Sequence, residues 1–142
     1  MQKQVAAMDF SGIDKAIITV KGQNVIIDSD VAKIYGVETK EVNQAVKNNP
    51  EKFPSGYVFE AGKDELVKNF DQFKNLKHST VQPKAFTEKG LYMIATILKS
   101  PKATAATIAI IEAFAKLREL SHTIAELADA KEKPQQQSLM QW

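Results

Sequence analysis

The chain has 142 residues, 44% of them hydrophobic, no Cys, and 19 basic against 17 acidic side chains, giving a net charge of +2 and a pI near 8.7. That length and apolar content bound one domain with a real core, and the lack of Cys excludes disulfides, thiolate catalysis and Cys-based zinc sites. No apolar run reaches the roughly 20 residues of a membrane span and the start lacks a signal-peptide core, so the expectation is a cytoplasmic protein that touches no membrane.

Residues 1–15 show no sustained period and read as an N-terminal arm. Ala16 to Val20 and Val25 to Ile27 are β-branched runs around Lys21-Gly22-Gln23-Asn24, a turn composition, and predict a hairpin. Residues 28 to 49 then read as two short helices folded about Gly36, in a helix-turn-helix pattern. Asp28 is placed to cap the first helix and Thr39 the second, with Gly36 as a left-handed stop between them. Ala32 allows close crossing and Val42 anchors the second helix. Within Thr39 to Asn48 the apolar residues Val42, Ala45 and Val46 form a narrow stripe, so Lys40, Asn43, Gln44 and Lys47 are expected to face outward. Amides and ammonium groups suit base edges in a major groove, whereas Glu38 and Glu41 count against a simple basic patch.

Asn49 to Gly56 is a proline-punctuated loop, and Tyr57 to Glu60 reads as a strand. Lys63 to Phe70 has helical spacing, and residues 71 to 84 are polar without clear period, an expected exposed loop or wing. From Lys63 to Lys102 eight lysines face four carboxylates. At Ala85 to Gly90 the sequence predicts a strand-to-helix junction capped by Thr87, with Phe86 and Leu91 as a staple and Gly90 marking the close approach of another backbone or of a ligand. The helix from Leu91 stops near Lys99. Ser100 then caps a last helix that starts at Pro101 and reaches the region of Ala130, followed by a polar tail from Lys131. In that helix Ala113, Leu117, Leu120, Ile124 and Leu127 step by four and three, a coiled-coil seam of little more than two heptads. A homodimer through this segment and packing back on the same domain are both open.

Taken in order, three blocks resemble the phage and bacterial domain family named for the N-terminal part of open-reading-frame-six proteins, a relative of the KilA-N DNA-binding domains. They are Val25 to Asn49, then Phe53-Pro54 with Tyr57-Val58-Phe59, then Ala85-Phe86-Thr87-Glu88-Lys89-Gly90. The resemblance covers about residues 17 to 120 and implies a compact α+β DNA-binding module of the kind found in phage and prophage regulators. Two departures stand beside it. The stretch from Lys74 to Gln82 lacks a Gly-rich, Arg-bearing run, and Ala61 stands where a larger apolar residue is usual.

The fold expected is therefore α+β, with a small hairpin or sheet, a helix-turn-helix-like unit and two C-terminal helices. The domain spans residues 16–120, with a helical extension and polar tail at 121–142. The partner expected is double-stranded DNA, with Lys40, Asn43, Gln44 and Lys47 at or near bases. Lys33, Asn48 and Lys52 are placed along the backbone, joined by Lys77, His78 and Lys84, and Thr39 is counted with the DNA-binding residues. His78 and His122 have no metal-ligand spacing and no phosphate-cradling glycine loop exists, so no enzyme, cofactor or metal is expected. The competing reading is a protein-interaction module, such as a phage antirepressor that binds another regulator. A third is an assembly domain centred on the last helix.

Overall fold

Lys21 and Gly22 reverse the chain with φ of 53° and 77°, the left-handed pair that a two-residue hairpin turn requires. They join strands β1 (Ile18–Val20) and β2 (Gln23–Ile27). The computed structural model describes residues 12–141, with side chains through residue 130. The first strand starts later than expected because residues 12–16 are helical and bury Ile13 and Ala16. Part of the expected arm is therefore core, and residues 1–11 lie outside the described residues.

Two further strands, β3 (Val58–Glu60) and β4 (Lys84–Thr87), complete an antiparallel sheet in the order β1-β2-β4-β3. Alternation sends neighbouring residues to opposite faces. Ile26, Phe86 and Val58 meet one core, while Val25, Ile27, Ala85 and Phe59 meet another. Both faces of the sheet are thus covered. Over the first lie helices α1 (Asp28–Tyr35) and α2 (Thr39–Asn48), through Val31, Tyr35 and Val42. Over the second lies α3 (Lys63–Asn69), through Leu66, followed by a 3-10 helix at Asp71–His78 that inserts Phe73.

That 3-10 helix replaces the expected loop. Phe70, Phe73 and Leu76 step by three, which is the period of a 3-10 turn rather than of an α-helix or a strand. The rings of Phe70 and Phe73 meet edge-on at 6.1 Å. Ala61 is fully buried in this smaller core, where there is little room for a larger side chain.

Helix α4 (Glu88–Ile94) returns to the larger core with Leu91 and Ile94. It ends sooner than Lys99, at a turn where the Thr96 hydroxyl donates to the Met93 carbonyl at 2.7 Å. Ser100 does not cap the next helix through its side chain. Its hydroxyl donates instead to the Tyr35 carbonyl at 2.7 Å, one of the acceptors left over at the end of α1. Pro101 and Lys102 form a turn, and α5 runs from Ala103 to Gln141. It continues past Lys131, where the sequence predicts the polar tail to begin. Its first part supplies Ala106, Ile110 and Ala113 to the core. Among the described residues no helix is long and apolar enough to cross a membrane.

Candidate nucleic-acid interface

Gly36 ends α1 with φ 71° and ψ 36°, and the Val37 N–H donates to the Ala32 carbonyl at 2.9 Å. Only Gly36, Val37 and Glu38 separate the two helices. Val42 and Ala45 bury one side of α2 in the cluster that holds Val31 and Ala32, so the opposite side faces solvent. Thr39 is the first residue of α2 and not its cap. The free N–H of Glu38 is met by the Glu41 carboxylate at 3.4 Å, a reach-back that the longer acidic side chain allows.

Lys40, Gln44, Lys47 and Asn48 are exposed on that outer side. The Gln44 amide donates to the Asn48 carbonyl oxygen at 2.9 Å, which holds two polar side chains together one turn apart. Lys40 lies 3.7 Å from Glu38, and Lys33 4.0 Å from Asp30 at the end of α1. Both lysines remain highly exposed, so these ion pairs restrain them little. Asn49 closes α2 by donating from its side chain to the Ala45 carbonyl at 2.8 Å. Lys52 follows, half-buried, in a 3-10 turn at Pro50–Lys52.

Asn43 does not face outward as its helical position suggests. Its amide donates to the Asp28 carboxylate at 3.0 Å. Asp28, read from the sequence as a cap, is the first residue of α1, 4% exposed, and also accepts from the Ser29 N–H at 2.8 Å. The N–H of Lys84 is a further donor. Burial pushes the Asp28 carboxyl above its ordinary value, opposed by these three hydrogen bonds and by the Lys84 charge. One buried carboxylate thereby joins the start of α1, the middle of α2 and the start of β4. The only sequence signal for this is an acid set between the buried Ile27 and Val31.

The remaining cations fall elsewhere. Lys84 is half-buried and pairs with Glu60 across the β3–β4 ladder at 3.3 Å. Lys77 and His78 are exposed at the end of the 3-10 helix, whose Phe73 packs on the far face of the sheet. The sheet therefore stands between them and α2. The eight lysines counted from Lys63 to Lys102 do not share one side.

Two clefts of about 520 and 510 Å³ flank α5 where it leaves the domain. The first holds the Glu88 carboxylate, which accepts from Arg118 at 2.5 Å and from the Tyr92 hydroxyl at 2.6 Å. The second has an apolar floor of Ile17, Ala113, Leu117 and Leu120. His122 pairs with Glu126 at 2.9 Å along α5. Among the described residues no group of three or more His, Asp or Glu is placed to hold a metal ion. Residues 15–97 match the family model described as the ORF6N domain. No curated protein and no solved structure matches the chain.

Proposed function

The chain belongs to the ORF6N domain family, a KilA-N-related phage and bacterial family, and we propose that it binds double-stranded DNA through the outer face of α2. The observation that carries this reading is the row of exposed Lys40, Gln44, Lys47 and Asn48 opposite the buried Val42 and Ala45. A short helix with small anchoring residues beneath and long polar side chains above is what a major groove admits. α1 and α2 then act as a helix-turn-helix, with α2 as the reading helix of a phage- or prophage-derived transcriptional regulator.

In this reading the Gln44 and Asn48 amides and the Lys40 and Lys47 ammonium groups meet base edges and nearby phosphates. Lys33 and Lys52 lie toward the phosphate backbone on either side. Asn43 acts as a positioning residue, since reaching a base means leaving Asp28. No catalysis is proposed, and the partners are DNA and a second copy of the chain through α5. The test is fluorescence anisotropy with random-sequence duplex across salt concentrations, beside a Lys40/Gln44/Lys47 triple alanine variant. The expected result is a steep salt dependence for the parent and a loss of affinity for the variant. Absence of binding by the parent at low salt overturns the reading.

One observation favours a second reading. Glu38 and Glu41 border the same face, and Asn43 is withdrawn from it, which suits a protein partner, such as another regulator bound by an antirepressor, better than a polyanion. A pull-down with little salt-dependent DNA binding is its expected signature.

A further inference from the structure

The turn between α1 and α2 carries a cation from a distant part of the chain. A Cβ built on Gly36 would lie 3.3 Å from Cδ of Lys102, with Cγ and Cε of the same side chain at 3.9 Å. The Lys102 stem therefore runs across the exposed Gly36, and its ammonium group, one bond beyond Cε, is held beside the turn. Contacts on either side of Lys102 fix it there. Before it, the Ser100 hydroxyl donates to the Tyr35 carbonyl at 2.7 Å, and after it the Thr107 and Tyr35 hydroxyls meet at 3.0 Å. Its own carbonyl accepts from the Ala106 N–H at 2.8 Å, in the first turn of α5.

The charge of Lys102 is not used within the domain. At the end of α1 the Val37 N–H meets the Ala32 carbonyl at 2.9 Å, the Gly36 N–H meets that of Lys33 at 3.3 Å, and Ser100 takes that of Tyr35. These acceptors need no ammonium donor. Nor does a carboxylate claim it. Glu38, in the same turn, lies 3.7 Å from Lys40, and Asp30 lies 4.0 Å from Lys33. Among the described residues the Lys102 ammonium makes no ion pair and no hydrogen bond. A long side chain is thus laid over a glycine with its charged end exposed and unpaired.

We infer that Lys102 is a phosphate contact of the DNA-binding face, supplied from outside the helix-turn-helix. This rests on the reading of α2 as the DNA face. In a helix-turn-helix complex the start of the second helix enters the major groove, while the first helix crosses the phosphate backbone. The turn from Gly36 to Glu38 joins those two places, so an ammonium group held on it stands beside the wall of the groove. Lys33, in the last turn of α1, and Lys40, in the first turn of α2, flank it along the chain. Each of those two has a carboxylate nearby, and Lys102 has none. It therefore offers a phosphate oxygen a charge with no internal pair to break, on the turn where Glu38 would otherwise repel the backbone.

The test is anisotropy titration of one duplex across salt concentrations with the full chain, Lys102→Gln, Lys102→Arg and Lys47→Ala. Lys102→Gln keeps much of the stem over Gly36 and removes the charge. It is expected to lower the slope of log affinity against log salt by about one. Repeated on a second duplex of different sequence, it is expected to weaken binding several-fold to both alike, since a phosphate contact carries no sequence information. Lys102→Arg keeps the charge and is expected to keep the parent's slope. Urea midpoints of both variants are expected to match the parent's, because the ammonium group holds nothing within the domain. If Lys102→Gln binds with the parent's slope while Lys47→Ala loses its increment, the Lys102 contact is overturned and the α2 reading stands. A shifted urea midpoint with an unchanged slope makes Lys102 a packing residue of the turn and overturns the contact as well. A parent without salt-dependent binding overturns the α2 reading, and this contact with it.

Discussion

The Asn43 side-chain nitrogen donates to the Asp28 carboxylate at 3.0 Å, while the Asn43 oxygen is buried with no hydrogen-bond partner among the described residues. The pair spans the turn between α1 and α2, so it fixes how one helix lies on the other. Asn43→Ala removes one of the donors that keep a buried carboxylate ionised. The expected loss is about 1 to 2 kcal/mol of folding stability, partly offset because the orphaned oxygen goes too. Urea denaturation measures it. In DNA binding, the same variant is expected to lower affinity evenly across sequences; a relaxed preference at one base position shows instead that Asn43 reads that base.

The Asp28 carboxyl is raised above 3.8 chiefly by burial, and Asp30 is raised by burial against the pull of Lys33. In the unfolded chain both revert to ordinary acids. Between 3.8 and their raised values the folded state therefore binds more protons than the unfolded state. Their contribution to stability falls as pH rises through that window and is most favourable below it. Asp28→Asn removes one of these titrations. Urea midpoints of parent and variant between pH 7 and about 4 are expected to show the parent gaining on the variant as the solution is acidified. A parent that loses ground on acidification contradicts the burial account.

Much of this arrangement is legible in the residues. Gly36 after Tyr35, Thr87 before Glu88 and the Lys21-Gly22 turn are local signals, and each acts through its own backbone geometry. The α+β class and the two strands around Ala85 and Val58 follow from alternation. What is not legible depends on partners distant in sequence. Asn43 looks solvated because its helix position is on the outer edge, and only the fold brings Asp28 beneath it. Ser100 looks like a cap until the Tyr35 carbonyl competes for its hydroxyl. Lys77 looks like a neighbour of α2 until the sheet is interposed, and Lys84 looks like a free cation until Glu60 is found beside it.

Gly90 marks the close approach that its costly place in a helix predicts, for a Cβ built there lies 2.0 Å from the Tyr57 carbonyl oxygen. That carbonyl cannot simply withdraw. It accepts from the Thr87 N–H at 3.1 Å, and the Thr87 hydroxyl lies within reach of it and of the Gly56 carbonyl. Gly90→Ala is therefore expected to cost about 3 kcal/mol or more by forcing β3 away from the α4 N-terminus. Gly36→Ala is the useful contrast. Its Cβ meets only the flexible Lys102 side chain at 3.3 Å, so its cost is the left-handed backbone, about 1 kcal/mol. Thermal denaturation of both variants gives the ranking, and a costlier Gly36→Ala contradicts the packing argument.

If α2 is the DNA face, the lysines divide by position rather than by number. Lys47 stands exposed on that helix, whereas Lys77 stands beyond the sheet and Lys84 is held to Glu60. Each lysine removed from a phosphate lowers the slope of log affinity against log salt by about one. Lys47→Ala is expected to show that reduction, with weaker binding to every duplex, and Lys77→Ala to leave both slope and affinity at the parent's values. Lys84→Ala is the intermediate case. It frees Glu60 and removes a positive charge near Asp28 without touching α2, so it is expected to change stability more than salt slope. Anisotropy titrations of the three variants against one duplex decide the matter. An equal loss of slope in Lys47→Ala and Lys77→Ala places the nucleic acid across the sheet edge and removes α2 as the sole reader.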